Sequence, residues 1–245
     1  MTAPFPSHKQ EAWRYADLDA LKPVWEQFAE PLTLTVAAGE SLEEIWVPTS
    51  DDVQLRRVQL ALGEGAKARI FALNIAPVYG RIELEVSLAE GSDFALFGAN
   101  IGSGVSTNEF VTTIKHLAPA AKSRQTIRSV LGGKAVGSYL GKVEVARGAQ
   151  HTDGEQSIKA MLLDRGATAN CKPELEIYAD DVKCAHGASV GELDAMQIFY
   201  AESRGLDPAG ARALLLEGFV MGLWDDASEP DIIGDAARSA LRSVV

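Results

Sequence analysis

The sequence predicts an all-β core with helical ends, and three observations lead to this class. From about residue 53 to residue 190, short apolar runs follow one another, with turns of small residues between them. No helical period is sustained in this middle part, whereas helix signals stand on both sides of it. Many short strands with such turns form a sandwich, a barrel or a β-helix, and the small corner residues suit a solenoid with closely stacked coils.

Composition excludes several classes of protein. The chain has 245 residues, a formal net charge of −11 and two cysteines. This acidity argues against binding to a nucleic-acid backbone. Cys171 and Cys184 form neither a CxxC pair nor a disulfide framework, which indicates reduced thiols. Without a signal-peptide pattern or a membrane-length apolar run, we expect a soluble, cytoplasmic protein.

Residues 1–40 are predicted to form a short helical lead-in. Ser7 and Gln10 have the spacing of a capping box, which predicts a helix over residues 11–15. Pro23 and Pro31 limit helix after this point, and a turn follows at Gly39.

Residues 41–192 are predicted to form the β core. Turn signals with a common pattern separate its runs, as at Gly65, Gly91, Gly148 and Gly166. The runs that predict strands are residues 53–62, 68–75, 81–88, 94–97, 110–116, 125–130 and 135–145.

Residues 193–245 are predicted to form a C-terminal helical region. Asp194 is placed to cap a first helix that Gly205 ends. Asp207 and Pro208 have the pattern of a second helix start, and a last short helix is expected over residues 234–242.

A thiol and an imidazole stand two residues apart near the end of the core. If residues 182–190 form a strand, Cys184 and His186 project from the same, otherwise apolar, face. Thiolate and imidazole are ligands that soft and borderline metals prefer. The alternative is a core strand with a small buried cysteine and a hydrogen-bonded histidine.

Sequence signatures of common enzymes are absent. There is no phosphate-binding loop, no dinucleotide fingerprint and no GxSxG elbow. His116 and His151 are possible general bases by residue type, but neither has an identifiable acid partner, and His8 carries little signal.

The segment KPELEIYADDVKCAHGASVG and the residues after it resemble the C-terminal signature of the SufB/SufD family of iron–sulfur cluster assembly proteins. HKQEAWRYADL, IKHLAP and GKVEVARGAQHTDGEQ resemble further segments of the SufD branch. Two positions favour that branch: Ile158 stands where SufB members carry a cysteine, and Ala185 and Gly187 replace the acidic residues that flank the SufB histidine. The lead-in is shorter than in longer SufD members.

The resemblance implies a right-handed parallel β-helix that acts as a non-catalytic scaffold with a SufC-type ATPase and a SufB-like paralogue. His186 corresponds to the family histidine and is the expected ligand of a nascent cluster, with Cys184 as the weaker candidate. A cluster needs about four such ligands, so we expect a transient cluster shared with a partner subunit and none stably bound alone. A homodimer of the isolated chain is left open.

The helical region is the expected docking site for the ATPase, by resemblance and because its apolar residues cover more than one stripe. The expected contact residues are Phe199, Tyr200, Leu215, Phe219 and Leu223. An alternative function is a β-helical acyltransferase or carbohydrate-active enzyme with His186 or His116 as general base. Against it, no hexapeptide repeat and no clustered carboxylates are present.

Overall fold

A computed structural model describes residues 4–49 and 51–244, so the outermost residues of the predicted lead-in and helical region lie outside the described part. The strands are β1 (Leu32–Val36), β2 (Ser41–Trp46), β3 (Val53–Leu62), β4 (Lys67–Asn74), β5 (Tyr79–Leu88), β6 (Asp93–Gly102), β7 (Thr107–His116), β8 (Lys122–Leu131), β9 (Val136–Val145), β10 (Asp153–Leu162), β11 (Thr168–Ile177) and β12 (Lys183–Gly191). The helices are α1 (Leu18–Leu21), α2 (Trp25–Phe28), α3 (Ala195–Ser203), α4 (Pro208–Val220) and α5 (Pro230–Val244), and 3-10 turns lie at Glu11–Trp13 and Met221–Leu223.

The strands alternate between two parallel sheets. The first sheet has the order β1-β3-β5-β7-β9-β11 and the second β12-β10-β8-β6-β4-β2. Each strand therefore pairs with the strand two positions along the chain, one coil further on. Such a chain winds as a solenoid whose inward side chains form one continuous core. The expectation of a parallel β-helix with a C-terminal helical region is confirmed.

Turns at one corner of the solenoid stack on each other through backbone hydrogen bonds. Gly39, Gly65 and Gly91 have φ of 75°, 63° and 63°, a region that glycine adopts without steric cost. The same corner of the next two coils has Ala120 (φ 59°) and His151 (φ 60°). Each of these five N–H groups donates to a carbonyl of the next coil, which fixes the register of successive turns.

Helices cover the outer face of the second sheet. Apolar residues of β4, β6 and β8 pack there against α4, α5 and the turn that follows α4, with Trp224 only 1% exposed. The apolar outer face of the second sheet explains why this half of the solenoid needs a helical cover.

The lead-in covers part of the first sheet where that sheet holds a buried ion pair. The Arg81 guanidinium lies 2.8 Å from Glu109 Oε1, and both side chains are fully buried. The Trp13 ring lies 3.6 Å from the guanidinium carbon, and Arg81 also donates to the Ala12 carbonyl. The lead-in thus contacts the solenoid through a cation–π contact and a hydrogen bond to Arg81, whose charge is paired within the sheet by Glu109.

Local predictions agree with the structure in most elements and differ in three. Residues 32–36 form β1, so the solenoid begins within the predicted lead-in. Residues 11–13 form a 3-10 turn in place of the predicted α-helix, although Ser7 does donate to Gln10 Oε1. The last helix is longer than predicted, Pro230–Val244. None of the helices in the described ranges is long and apolar enough to span a membrane.

Candidate functional site at the open end of the solenoid

The C-terminal end of the solenoid is left uncovered. β11 and β12 are the last strands of their sheets, and no other described strand pairs with their far sides. Every residue from Ala185 to Gly191 is exposed. β12 carries no charged residue after Lys183, although charges are a common protection of exposed sheet edges.

Strand register places His186 and Cys184 on the inward face of this last coil. His186 pairs with Gln156, which in turn pairs with Gln125, and both glutamines are buried in the interior. Cys184 pairs with Gly154 in the same way and packs against the core. The predicted shared face is therefore confirmed. The core-histidine alternative is contradicted because β12 is an edge strand and leaves His186 exposed.

The Cys184 thiol lies in a half-buried position beside a gap at Gly154. A Cβ atom at Gly154 would lie 3.4 Å from Cys184 Sγ and 3.7 Å from Ser123 Oγ, which is ordinary van der Waals distance. Desolvation by burial raises the pKa of the Cys184 thiol. A raised pKa disfavours the thiolate, which is the form of cysteine that binds metals.

Cys171 faces the same interior from the opposite sheet. It pairs with Tyr139, whose hydroxyl accepts a hydrogen bond from Gln156 Nε2 at 3.1 Å across the interior. In the last coil, Cys171 and His186 occupy the two positions that Tyr139 and Gln156 have in the coil before. Burial raises the pKa of the Cys171 thiol as well.

A layer of polar side chains inside the solenoid leads to His186. Thr112 Oγ1 lies 2.6 Å and Tyr139 Oη 2.9 Å from Gln125 Oε1. Gln156 follows Gln125 in register and His186 follows Gln156. In the first coils the matching column is apolar, with Leu96 and Ile70 in place of the glutamines. The interior therefore changes from apolar to polar toward the open end.

The remaining histidines lie away from the inward face of the last coil. His116 is fully buried, Ser123 Oγ lies 2.9 Å from its Nε2, and burial lowers its pKa to about 4. A buried, neutral imidazole is in a poor position to act on a substrate as a general base. His151 is exposed at a corner, 2.9 Å from Asp181 Oδ2, and His8 Nδ1 lies 3.0 Å from the Trp13 carbonyl oxygen.

No three metal-ligating side chains come together within the described residues. The arrangement at the open end therefore offers single ligands from His186 and the cysteines. It does not offer a preformed set.

Of the predicted docking residues, two are strongly exposed and one is buried. Phe199 and Tyr200 on α3 are 64% and 61% exposed, and their neighbour Met196 is 71% exposed. Leu215 and Phe219 on α4 are half-buried. Leu223 is 7% exposed and packs beneath the helices, so it does not belong to a docking surface of this fold.

Sequence reasoning missed Gln156 and the uncovered edge. Alternation in β10 carries a weak signal for the glutamine, because Gln156 has the same parity as the apolar Ile158. The edge itself is visible only once both sheets are assembled.

Comparisons with known proteins agree with the family resemblance of the signature segment. Residues 42–219 match the family model described as SUF system FeS cluster assembly, SufBD core domain. An iron–sulfur cluster assembly SufBD family protein of Synechocystis sp. is 31% identical over 180 residues, which cover 72% of this chain and 39% of that protein.

Two relatives carry the name SufD. Iron–sulfur cluster assembly protein SufD of Escherichia coli is 38% identical over 114 residues, 46% of this chain and 27% of that protein. SufD of Bacillus subtilis is 32% identical over 120 residues, 49% of this chain and 28% of that protein. The matched segments thus span 27% to 39% of the length of these relatives. Because the family model matches from β2 into α4, the chain belongs to the SufBD core family of the SUF iron–sulfur cluster assembly system.

Proposed function

We propose that this protein is a non-catalytic scaffold subunit for iron–sulfur cluster assembly, and that His186 supplies a nitrogen ligand to the nascent cluster. The observation that carries the proposal is the exposed imidazole on the inward face of the last, uncovered strand. Neutral imidazole is a common iron ligand, and its position on a strand holds it in a fixed place. The cluster is cargo that is built and passed on.

The open end is the interface with a SufB-like paralogue. An unpaired strand edge presents N–H and C=O groups that a strand of another chain can pair with. β12 has no charges after Lys183 to prevent such pairing. When the chain is isolated, a second copy of itself would meet the same edge.

The partner supplies most of the cluster ligands. A cluster needs about four thiolate or imidazole ligands, and this chain has two cysteines in total. Both cysteine thiols have raised pKa values because of burial. A site at the junction of two subunits accounts for an exposed histidine without a preformed ligand set.

The exposed apolar face of α3 docks a SufC-type ATPase. Met196, Phe199 and Tyr200 lie within five residues of each other, and each is more than half exposed. An amphipathic helix with a free apolar face is a frequent docking element. The chain lacks a phosphate-binding loop of its own, so ATP hydrolysis comes from the partner.

Co-expression with both partners under anaerobic conditions tests the proposal. We expect His186→Ala to remove most iron and sulfide from the purified complex while subunit association stays intact, and Cys184→Ala to have a milder effect. His151→Ala, an exposed histidine at a corner, is the matched control. If the complex with His186→Ala keeps the iron and sulfide content of the wild type, the ligand role is refuted.

Docking on α3 has a separate test. Phe199→Ser with Tyr200→Ser should remove ATPase from a pull-down, whereas Leu32→Ser, an exposed apolar residue on β1, should not. Retained ATPase in the double variant would refute the docking surface.

A further inference from the structure

The interior layer beneath His186 contains two buried amide atoms without partners. Gln125 is fully buried and Gln156 is 1% exposed. Among the described residues, Gln125 Nε2 and Gln156 Oε1 have no hydrogen-bond partner. A buried polar atom without a partner is costly, and most such atoms in proteins acquire one.

The positions of the other amide atoms limit what Gln156 Oε1 can bind. Gln156 Nε2 donates to the Tyr139 hydroxyl at 3.1 Å, and Gln125 Oε1 accepts from Thr112 and Tyr139. These bonds fix the orientation of both amides, so that Gln156 presents its carbonyl oxygen to whatever lies along the column. A carbonyl oxygen accepts two hydrogen bonds. Both acceptor positions of Gln156 Oε1 are unused among the described residues.

The residue on the open side of Gln156 is His186. The two residues pair in register on adjacent parallel strands and project to the same face. Adjacent strands lie about 4.8 Å apart, which is within reach of a glutamine amide and a ring nitrogen.

We propose that Gln156 is a positioning residue for His186: a turn of the exposed imidazole lets the unpartnered Gln156 Oε1 accept a hydrogen bond from His186 Nδ1–H, which leaves Nε2 bare and directed to the opening. This inference rests on the proposed ligand role of His186. Histidine ligands usually donate the other ring N–H to an oxygen, which fixes the tautomer and the ring orientation. Gln156 would do the same here before any iron arrives.

The tautomer of His186 can be measured in the isolated chain. Long-range ¹H–¹⁵N NMR at alkaline pH distinguishes Nδ1–H from Nε2–H imidazole, and His186→Ala assigns the signals. We expect Nδ1–H to predominate at His186, the opposite of free histidine. Gln156→Leu should shift the tautomer ratio about fivefold toward Nε2–H, the factor for a hydrogen bond of about 1 kcal/mol.

Two further variants make the test specific. Gln156→Glu keeps an acceptor oxygen at the same place and should retain the Nδ1–H form. Gln125→Leu removes the amide one coil further inside and should leave Nδ1–H predominant at His186. Circular dichroism checks that each variant folds, and Gln156→Met replaces Gln156→Leu if the latter does not.

A predominant Nε2–H form in the wild type, or an unchanged ratio in the folded Gln156 variant, would overturn the proposal. The readout needs neither iron nor a partner. Failure of the positioning role is thus distinguishable from failure of the ligand role, which the iron content of His186→Ala tests.

Discussion

The two ends of the solenoid differ in how they close. At the N-terminal end the edge strands of the two sheets are short, with five residues in β1 and six in β2. Trp46 is 3% exposed there, donates from Nε1 to Glu44 at 3.2 Å and lies 4.9 Å from the Arg56 guanidinium carbon. At the C-terminal end the last strands have ten and nine residues. None of their inward residues is fully buried, and the exposed ones include Ile177, His186 and Val190.

This difference indicates that the C-terminal end of the solenoid is the one that can pair with another chain. Short edge strands, an aromatic plug and charged side chains are ways to end a sheet. A long edge of small neutral residues is a surface on which a sheet can continue. The polar interior layer also runs toward the C-terminal end, which places the ligand candidate where the second chain would join.

The largest expected effect concerns Arg81, which forms a buried ion pair with Glu109 and contacts the lead-in. Arg81→Met leaves the Glu109 carboxylate buried without its partner, and we expect it to lower the free energy of unfolding by about 3–5 kcal/mol. Lys172→Met removes the exposed ion pair with Glu11 and should change stability far less than Arg81→Met does. Urea denaturation of both variants measures the contrast. Equal effects would show that the lead-in is not anchored through Arg81.

Charges on the two edges provide a direct contrast between the ends. Ala185→Lys with Ser189→Lys places two cations on the exposed, outward side of β12. Like-charge and unpaired-charge contacts at an interface cost several kcal/mol, so we expect the dissociation constant for the paralogue to rise by at least about a hundredfold. Thr33→Lys with Thr35→Lys on β1 is the control and should not change it. Sedimentation velocity of the co-expressed subunits checks this, and the reverse pattern would place the interface at the other end.

The pH dependence of stability reports on the closed interior, where His116 is buried. Burial lowers the pKa of His116 to about 4, whereas the unfolded chain has the ordinary histidine value near 6.5. As pH falls below about 6.5, the unfolded state binds a proton first, so His116 contributes stability above that pH and loses it progressively down to about pH 4. At pH 5 the loss attributable to His116 should be roughly 2 kcal/mol relative to pH 8.

Urea denaturation at several pH values measures this loss. In His116→Gln the decrease between pH 8 and pH 5 should be smaller by that amount. His151→Gln, which changes an exposed histidine, should keep the wild-type profile. A wild-type profile in His116→Gln would mean that the histidine is not buried as a neutral ring.

The local sequence pattern was sufficient to predict many of the strands and the starts of α3 and α4. The run over residues 53–62 matches β3 at both ends. Asp194 and Asp207 accept hydrogen bonds from the first turns of α3 and α4, as their capping roles require. These features depend on neighbours in sequence, and sequence periodicity therefore reveals them.

The solvent exposure of individual side chains could not be predicted from the local pattern. Parity placed Cys184 and His186 on one face, but only the pairing of twelve strands shows that this face belongs to the last coil. Leu223 fits an apolar helical stripe with Leu215 and Phe219, yet it packs in the core because α4 ends at Val220 and Leu223 lies in the 3-10 turn that follows. A stripe shows that a face is apolar without showing what covers it.

The central claim is that His186 binds the nascent cluster at the open end, and detection of a nitrogen ligand tests it most directly. This chain is labelled with ¹⁵N-histidine, combined anaerobically with unlabelled partners, and the reduced cluster of the complex is examined by pulsed EPR. The account predicts a ¹⁵N hyperfine coupling that is lost in His186→Ala and kept in His151→Ala. A cluster without ¹⁵N coupling in the wild type, or a coupling that persists in His186→Ala, would contradict it.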